Sequence, residues 1–65
     1  MKVVTLKNTI KGKGYTVKIH FCPVKRISFF EQDGKKTQMA NTQKGWEIVN
    51  SLQSFGFSRV DTWED

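Results

Sequence analysis

Hydrophobic and polar positions alternate with a period of two through much of the first forty residues, then shift to helical spacing. The clearest run is Tyr15 to Cys22, where Tyr15, Val17, Ile19 and Phe21 alternate with Thr16, Lys18, His20 and Cys22. A strand so patterned turns its first set to a core and its second set to water. Lys2 to Asn8 predicts a preceding strand, because Val3, Val4 and Thr5 are β-branched and suit a pleated surface. Lys11-Gly12-Lys13-Gly14 between them is turn chemistry, since glycine takes a positive φ at little cost. Pro23 ends the second strand, because it cannot donate to a ladder and restricts Cys22.

Arg26 to Gln32 predicts a third strand, and Asp33-Gly34 a two-residue hairpin turn of type I′. That turn sets Gln32 opposite Lys35, Glu31 opposite Lys36, Phe30 opposite Thr37 and Ser28 opposite Met39. The opposite charges of Glu31 and Lys36 favour this register. The fourth strand, Lys35 to Ala40, is short and polar, as edge strands usually are. Asn41 and Thr42 are both good N-caps. From about Thr42 to Phe55, the residues Ile48, Val49, Leu52 and Phe55 form an apolar stripe at helical spacing. Gly45 lies near that stripe, where a missing side chain lets the helix start approach the sheet. Gly56 suits the C′ position with Phe57 packing back on Leu52, and Phe57 to Trp63 predicts a last strand.

The order β-β-β-β-α-β predicts one α+β domain over residues 1–65, a small antiparallel sheet with one helix packed across one face. The helix covers Tyr15, Val17, Ile19 and Phe21, leaving Thr16, Lys18, His20 and Cys22 to solvent or a partner. The third strand is apolar on both sides. With Ile27 and Phe29 turned to the core, Phe30 is left uncovered and is expected at an interface, with a second copy or with another protein.

Size narrows the possibilities. A chain of 65 residues buries only about 60% of its unfolded surface, so it needs help to be stable. One cysteine excludes an intrachain disulfide, and Cys22 with His20 falls short of the four ligands of a structural zinc site. Five Phe, two Trp and one Tyr supply a dense aromatic core instead. The single thiol fits a reducing compartment. The charged N-terminus has no apolar signal region, and no stretch reaches the ~20 apolar residues of a membrane span. The expectation is a soluble, cytoplasmic protein. The chain begins with Met and reads as a complete small frame; short basic frames are common in phages, so the reading extends to a phage-encoded accessory protein.

Charge changes the picture most. Residues 1–36 carry nine Lys or Arg against Glu31 and Asp33, whereas residues 37–65 carry Lys44 and Arg59 against Glu47, Asp61, Glu64 and Asp65. The net charge of +5 therefore comes from the strand-rich half. A basic sheet is an electrostatic footprint for a polyanion, which it neutralises with release of counterions. The expected nucleic-acid contacts are Lys11, Lys13, Lys18, His20, Lys25, Arg26, Lys35 and Lys36, with Phe30 or Tyr15 stacking on bases. Phe30, Trp46 and Trp63 are the expected protein-interface residues. Trp46 falls 100–130° from the helical stripe, roughly at the margin of the buried face, and tryptophans so placed favour interfaces.

Catalysis finds little support. His20 and Cys22 share a strand face, but no oxyanion donors, phosphate loop or paired carboxylates accompany them. The acidic residues at the C-terminus lack the fixed geometry of a cation site. No catalytic residue, metal or cofactor is expected. The leading expectation is a non-enzymatic protein that binds nucleic acid through a basic sheet face and hairpin loops. The alternative is an inhibitor that docks on a nucleic-acid-processing protein complex and occludes it.

In order of elements alone, the β-β-β-α portion resembles the three-stranded DNA-binding domains of phage-type integrases and plant AP2 factors. The α-β ending is similar to small phage inhibitors of host machinery, anti-CRISPR proteins among them. No motif is shared with either, so no residue role carries over.

Overall fold

A computed structural model describes residues 1–10 and 12–64, apart from the side chain of Ile10. The elements run β1 (Lys2–Ile10), β2 (Lys13–Cys22), β3 (Ile27–Gln32), β4 (Lys35–Met39), α1 (Thr42–Ser54) and β5 (Ser58–Trp63). The five strands form one antiparallel sheet in the order β4-β3-β2-β1-β5, with α1 packed across one face. This is the α+β architecture that the alternation of residues predicts.

Local chemistry accounts for each junction. Asp33 and Gly34 both take positive φ, 53° and 79°, as a type I′ turn requires. The β3–β4 register follows from it, with Glu31 opposite Lys36 and Phe30 opposite Thr37. Asn41 caps α1, its side-chain oxygen accepting from the Lys44 N–H at 3.0 Å. At the other end Gly56 sits at φ 91°, and the N–H groups of Gly56 and Phe57 donate to the carbonyls of Gln53 and Leu52. That pair of bonds is a Schellman motif, and it brings Phe57 onto the core.

The core lies between α1 and the sheet. Val4 and Leu6 of β1, Val17, Ile19 and Phe21 of β2 and Val49 of α1 are buried together, with Phe30, Met39, Trp46, Ile48, Leu52 and Phe57 packed around them. Gly45 allows the close approach of α1: a Cβ there would lie 2.6 Å from Phe21 Cε1 and 3.0 Å from Ser28 Cβ. Ser28 is fully buried beneath that contact, and its hydroxyl donates to the Asn41 carbonyl at 2.7 Å, tying β3 to the helix cap. Trp46 stacks on Phe21 with ring centroids 4.5 Å apart.

Three expectations need correction. Phe30 is not the uncovered residue of β3. Ile19 pairs with Phe30 and His20 with Phe29, so Ser28 and Phe30 face the helix while Ile27 and Phe29 lie on the open side. The Pro23–Arg26 turn, with Arg26 at φ 55°, sets that phase, and strand alternation does not reveal it. Phe55 is not part of the buried stripe. It is the C-cap residue, 76% exposed, and Phe57 takes the core position instead. Tyr15 is also less covered than expected, at 39% exposure, because β2 runs past the end of β3, which it pairs only from Lys18 onward.

Candidate nucleic-acid interface

The face of the sheet away from α1 carries Val3, Thr5 and Lys7 of β1, Lys18, His20 and Cys22 of β2, and Ile27, Phe29 and Glu31 of β3. Lys36 and Gln38 of β4 and Ser58, Val60 and Thr62 of β5 complete it. Among the described residues no helix lies over this side. Its centre is nonetheless closed by its own side chains: Val3 is 1% exposed and His20 6%. One row across the strands reads Gln38, Phe29, His20, Val3, Thr62, and the next reads Lys36, Glu31, Lys18, Thr5, Val60. The face therefore has a packed apolar middle and a cationic row beside it.

His20 is anchored rather than available. The Glu31 carboxylate accepts from its Nε2 at 2.6 Å. That hydrogen bond holds the Glu31 carboxyl below its ordinary range; burial opposes it, and the charges of His20, Lys18 and Lys36 add to it. His20 is thus a buried partner of Glu31 and not the exposed phosphate contact expected of it.

The basic residues divide into two groups. Lys2, Lys44 and Arg59 sit on the helix side and are ion-paired. Lys2 Nζ lies 3.3 Å from Asp61, Arg59 makes two bonds of 2.7 and 2.8 Å to the same carboxylate, and Lys44 meets Glu47 at 3.6 Å. Lys2 and Arg59 also stand 5.0 Å from the Trp46 ring centre. Among the described residues, Lys7, Lys13, Lys18, Lys25, Arg26, Lys35 and Lys36 hold no ion pair. Sequence reasoning misses Lys7 because its strand reads as a plain β-branched run; its place on the open face emerges only from its pairing with Thr16 and Ser58.

The expected cluster is not one patch. Lys25 and Arg26 lie in the turn before β3 and Lys35 and Lys36 in the hairpin after it. Six residues of β3 at about 3.3 Å each separate the two by roughly 20 Å. Lys13 is exposed at the start of β2, at the same end as Lys35 and Lys36, and Lys11 lies outside the described residues. Lys18 and Lys36 share the open face across Glu31, two strand spacings or about 10 Å apart.

Two hollows flank these elements. One, of about 290 Å³, opens where β2 outruns β3 and is lined by Gly14, Thr16, Lys18, Glu31, Gln32 and Asp33. Two carboxylates against one lysine make it a poor anion pocket. The other, of about 220 Å³, lies at the opposite end among Lys2, Phe21, Pro23, Thr42, Trp46 and Trp63. Trp46 is half-covered by its stacking, whereas Trp63 is 74% exposed. Of the three residues expected at a protein interface, Trp63 alone presents most of its ring.

Among the described residues no cluster of His, Cys, Asp and Glu has the makings of a metal site, and no helix is long and apolar enough to cross a membrane. No family model matches the chain, and neither a curated protein nor a solved structure matches it.

Proposed function

We propose that this protein binds nucleic acid, without catalysis, through the open face of its sheet and the loops at its ends. The observation that carries the reading is the division of its cations. Those on the helix side are ion-paired, Lys2 and Arg59 sharing Asp61 and Lys44 meeting Glu47, whereas Lys7, Lys18 and Lys36 on the open face have no carboxylate within ion-pair distance among the described residues. Unpaired lysines on a flat surface neutralise phosphates and release counterions. Lysine-dominated contact of this kind reads backbone charge rather than base identity, which leans on arginine. Phe29, half-buried on the same face, supplies an aromatic edge next to the cations.

The alternative, an inhibitor docking on a nucleic-acid-processing complex, now rests on Trp63 and its groove, since Phe30 packs against the core and Trp46 is half-covered. Salt separates the two readings. Binding to labelled single- and double-stranded DNA and RNA, measured at about 50 and 200 mM salt, weakens by orders of magnitude for several phosphate contacts. Absence of binding at the lower salt overturns the nucleic-acid reading and leaves the protein-docking one.

A further inference from the structure

The two edges of the sheet are built differently. β4 carries Lys35 and Lys36, the residues that commonly guard an edge against pairing. β5 has no lysine, and its two charges, Arg59 and Asp61, are opposite in sign and bond each other. Every residue from Ser58 to Trp63 is exposed, and among the described residues its outer side meets no other strand.

The backbone shows which groups are free there. Met1 and Glu64 exchange both main-chain bonds, at 2.6 and 2.8 Å. Antiparallel ladders alternate, so Thr62, Val60 and Ser58 also turn their N–H and C=O groups to β1. Arg59, Asp61 and Trp63 therefore turn theirs outward, where no other strand among the described residues meets them.

The sequence of β5 is chemically symmetric about Val60: Ser58 matches Thr62, and Arg59 is the charge complement of Asp61. We propose that β5 pairs antiparallel with β5 of a second copy of this chain, about a two-fold axis at Val60, joining two sheets into one. In that register Arg59 opposes the partner's Asp61 and Asp61 opposes the partner's Arg59. These are the residues with outward backbone groups, so each pair exchanges two main-chain bonds. Val60 meets its own copy at the non-bonded centre, and Phe57 falls opposite the partner's Trp63. A register centred on Arg59 or on Asp61 sets like charges face to face and is disfavoured. A two-fold axis normal to the sheet also keeps both helices on one side and both open faces on the other.

The inference is independent of the nucleic-acid reading, and its test uses no nucleic acid. Sedimentation of the full chain over rising concentration is expected to take the mass from 7.5 kDa to twice that value. Arg59→Asp and Asp61→Arg, each checked for folding by circular dichroism, are each expected to stay monomeric, because each sets like charges opposite one another. Mixed together, the two variants are expected to recover the dimer. One chain then carries acid at both positions and the other carries arginine at both, so each cross-strand pair again joins opposite charges. Amide exchange of the wild-type chain at Arg59 and Asp61 is expected to slow as concentration rises. A wild-type chain that stays monomeric throughout, or one whose dimer leaves those two amides unprotected, overturns the proposal.

Discussion

The Glu31 carboxylate lies 2.6 Å from Nε2 of His20 on the uncovered side of the sheet, between Lys18 on one strand and Lys36 on the other. This contact buries the only histidine and places Glu31 between two lysines. It makes Glu31 a structural partner of His20 and, on the proposed nucleic-acid reading, a local brake on anion binding.

Acid should expose the structural part. Glu31 is held below its ordinary value of 4.5, and Asp61 falls from 3.8 to about 2, chiefly through the Arg59 hydrogen bonds. A carboxyl whose native value is depressed contributes its stability in full above the unfolded value and loses it as pH falls through the native one. Urea midpoints should therefore hold above about pH 4.5 and decline towards pH 2. Glu31→Gln and Asp61→Asn should each flatten that decline. An unchanged slope in both variants would contradict the assignment. At neutral pH, Glu31→Gln should also tighten nucleic-acid binding by removing a negative charge beside Lys18 and Lys36.

Gly45→Ala should destabilise the fold. Alanine gains about 1 kcal/mol of helix propensity over glycine. Its methyl group, however, would lie 2.6 Å from the Phe21 ring, and overpacking of that kind costs about 1–3 kcal/mol. Phe21 is itself held by Trp46, so it has little room to yield. A thermal midpoint equal to or above that of the wild type would show that α1 shifts away freely.

The junction between β3 and α1 should be sensitive at two points. Asn41→Ala removes the cap on the Lys44 N–H and should cost about 1 kcal/mol. Ser28→Ala strips the Asn41 carbonyl of its buried donor and should cost about 1–3 kcal/mol. Asn41→Ala leaves in place the main-chain carbonyl that Ser28 bonds, so the two substitutions remove separate bonds and the double variant should lose about the sum of the single losses in chemical denaturation.

Phe29 and Phe30, adjacent in sequence, should behave oppositely. Phe30 packs against the core, and its replacement by Ala should cost about 3 kcal/mol. Phe29 lies on the open face beside His20, where Ala should cost about 1 kcal/mol or less and weaken nucleic-acid binding instead. Equal losses of stability would argue that both faces of β3 are equally packed.

These two phenylalanines also mark where the sequence stops being legible. The element order, the Asp33-Gly34 turn, the Gly45 approach and the Gly56 stop all follow from local chemistry, and they stand as read. The phase of β3 against β2 depends on the Pro23–Arg26 turn, where Arg26 takes a left-handed conformation with no glycine to announce it. A one-residue change of phase exchanges the faces, and Phe30 for Phe29 is its consequence. The candidate site is less legible for the same reason. Lysine count is visible in a sequence, but pairing is not. That Lys2 is paired with Asp61 while Lys7 holds no ion pair among the described residues depends on which strands become neighbours, and β1 meets β5 only through the whole length of the chain; the Lys44–Glu47 and Arg59–Asp61 pairs, by contrast, each lie within one element.

The central claim is that unpaired cations on the open face bind a polyanion. The most direct test compares Lys7→Glu, Lys18→Glu and Lys36→Glu with Lys44→Glu in nucleic-acid binding at low salt. All four make the same change in net charge, but Lys44 lies on the helix and is paired with Glu47. The account predicts a marked loss of affinity and a shallower salt dependence, by about one contact per lysine, in the first three, with a much smaller loss for Lys44→Glu. Equal losses in all four would mean that net charge alone governs binding, and would contradict a site on the open face.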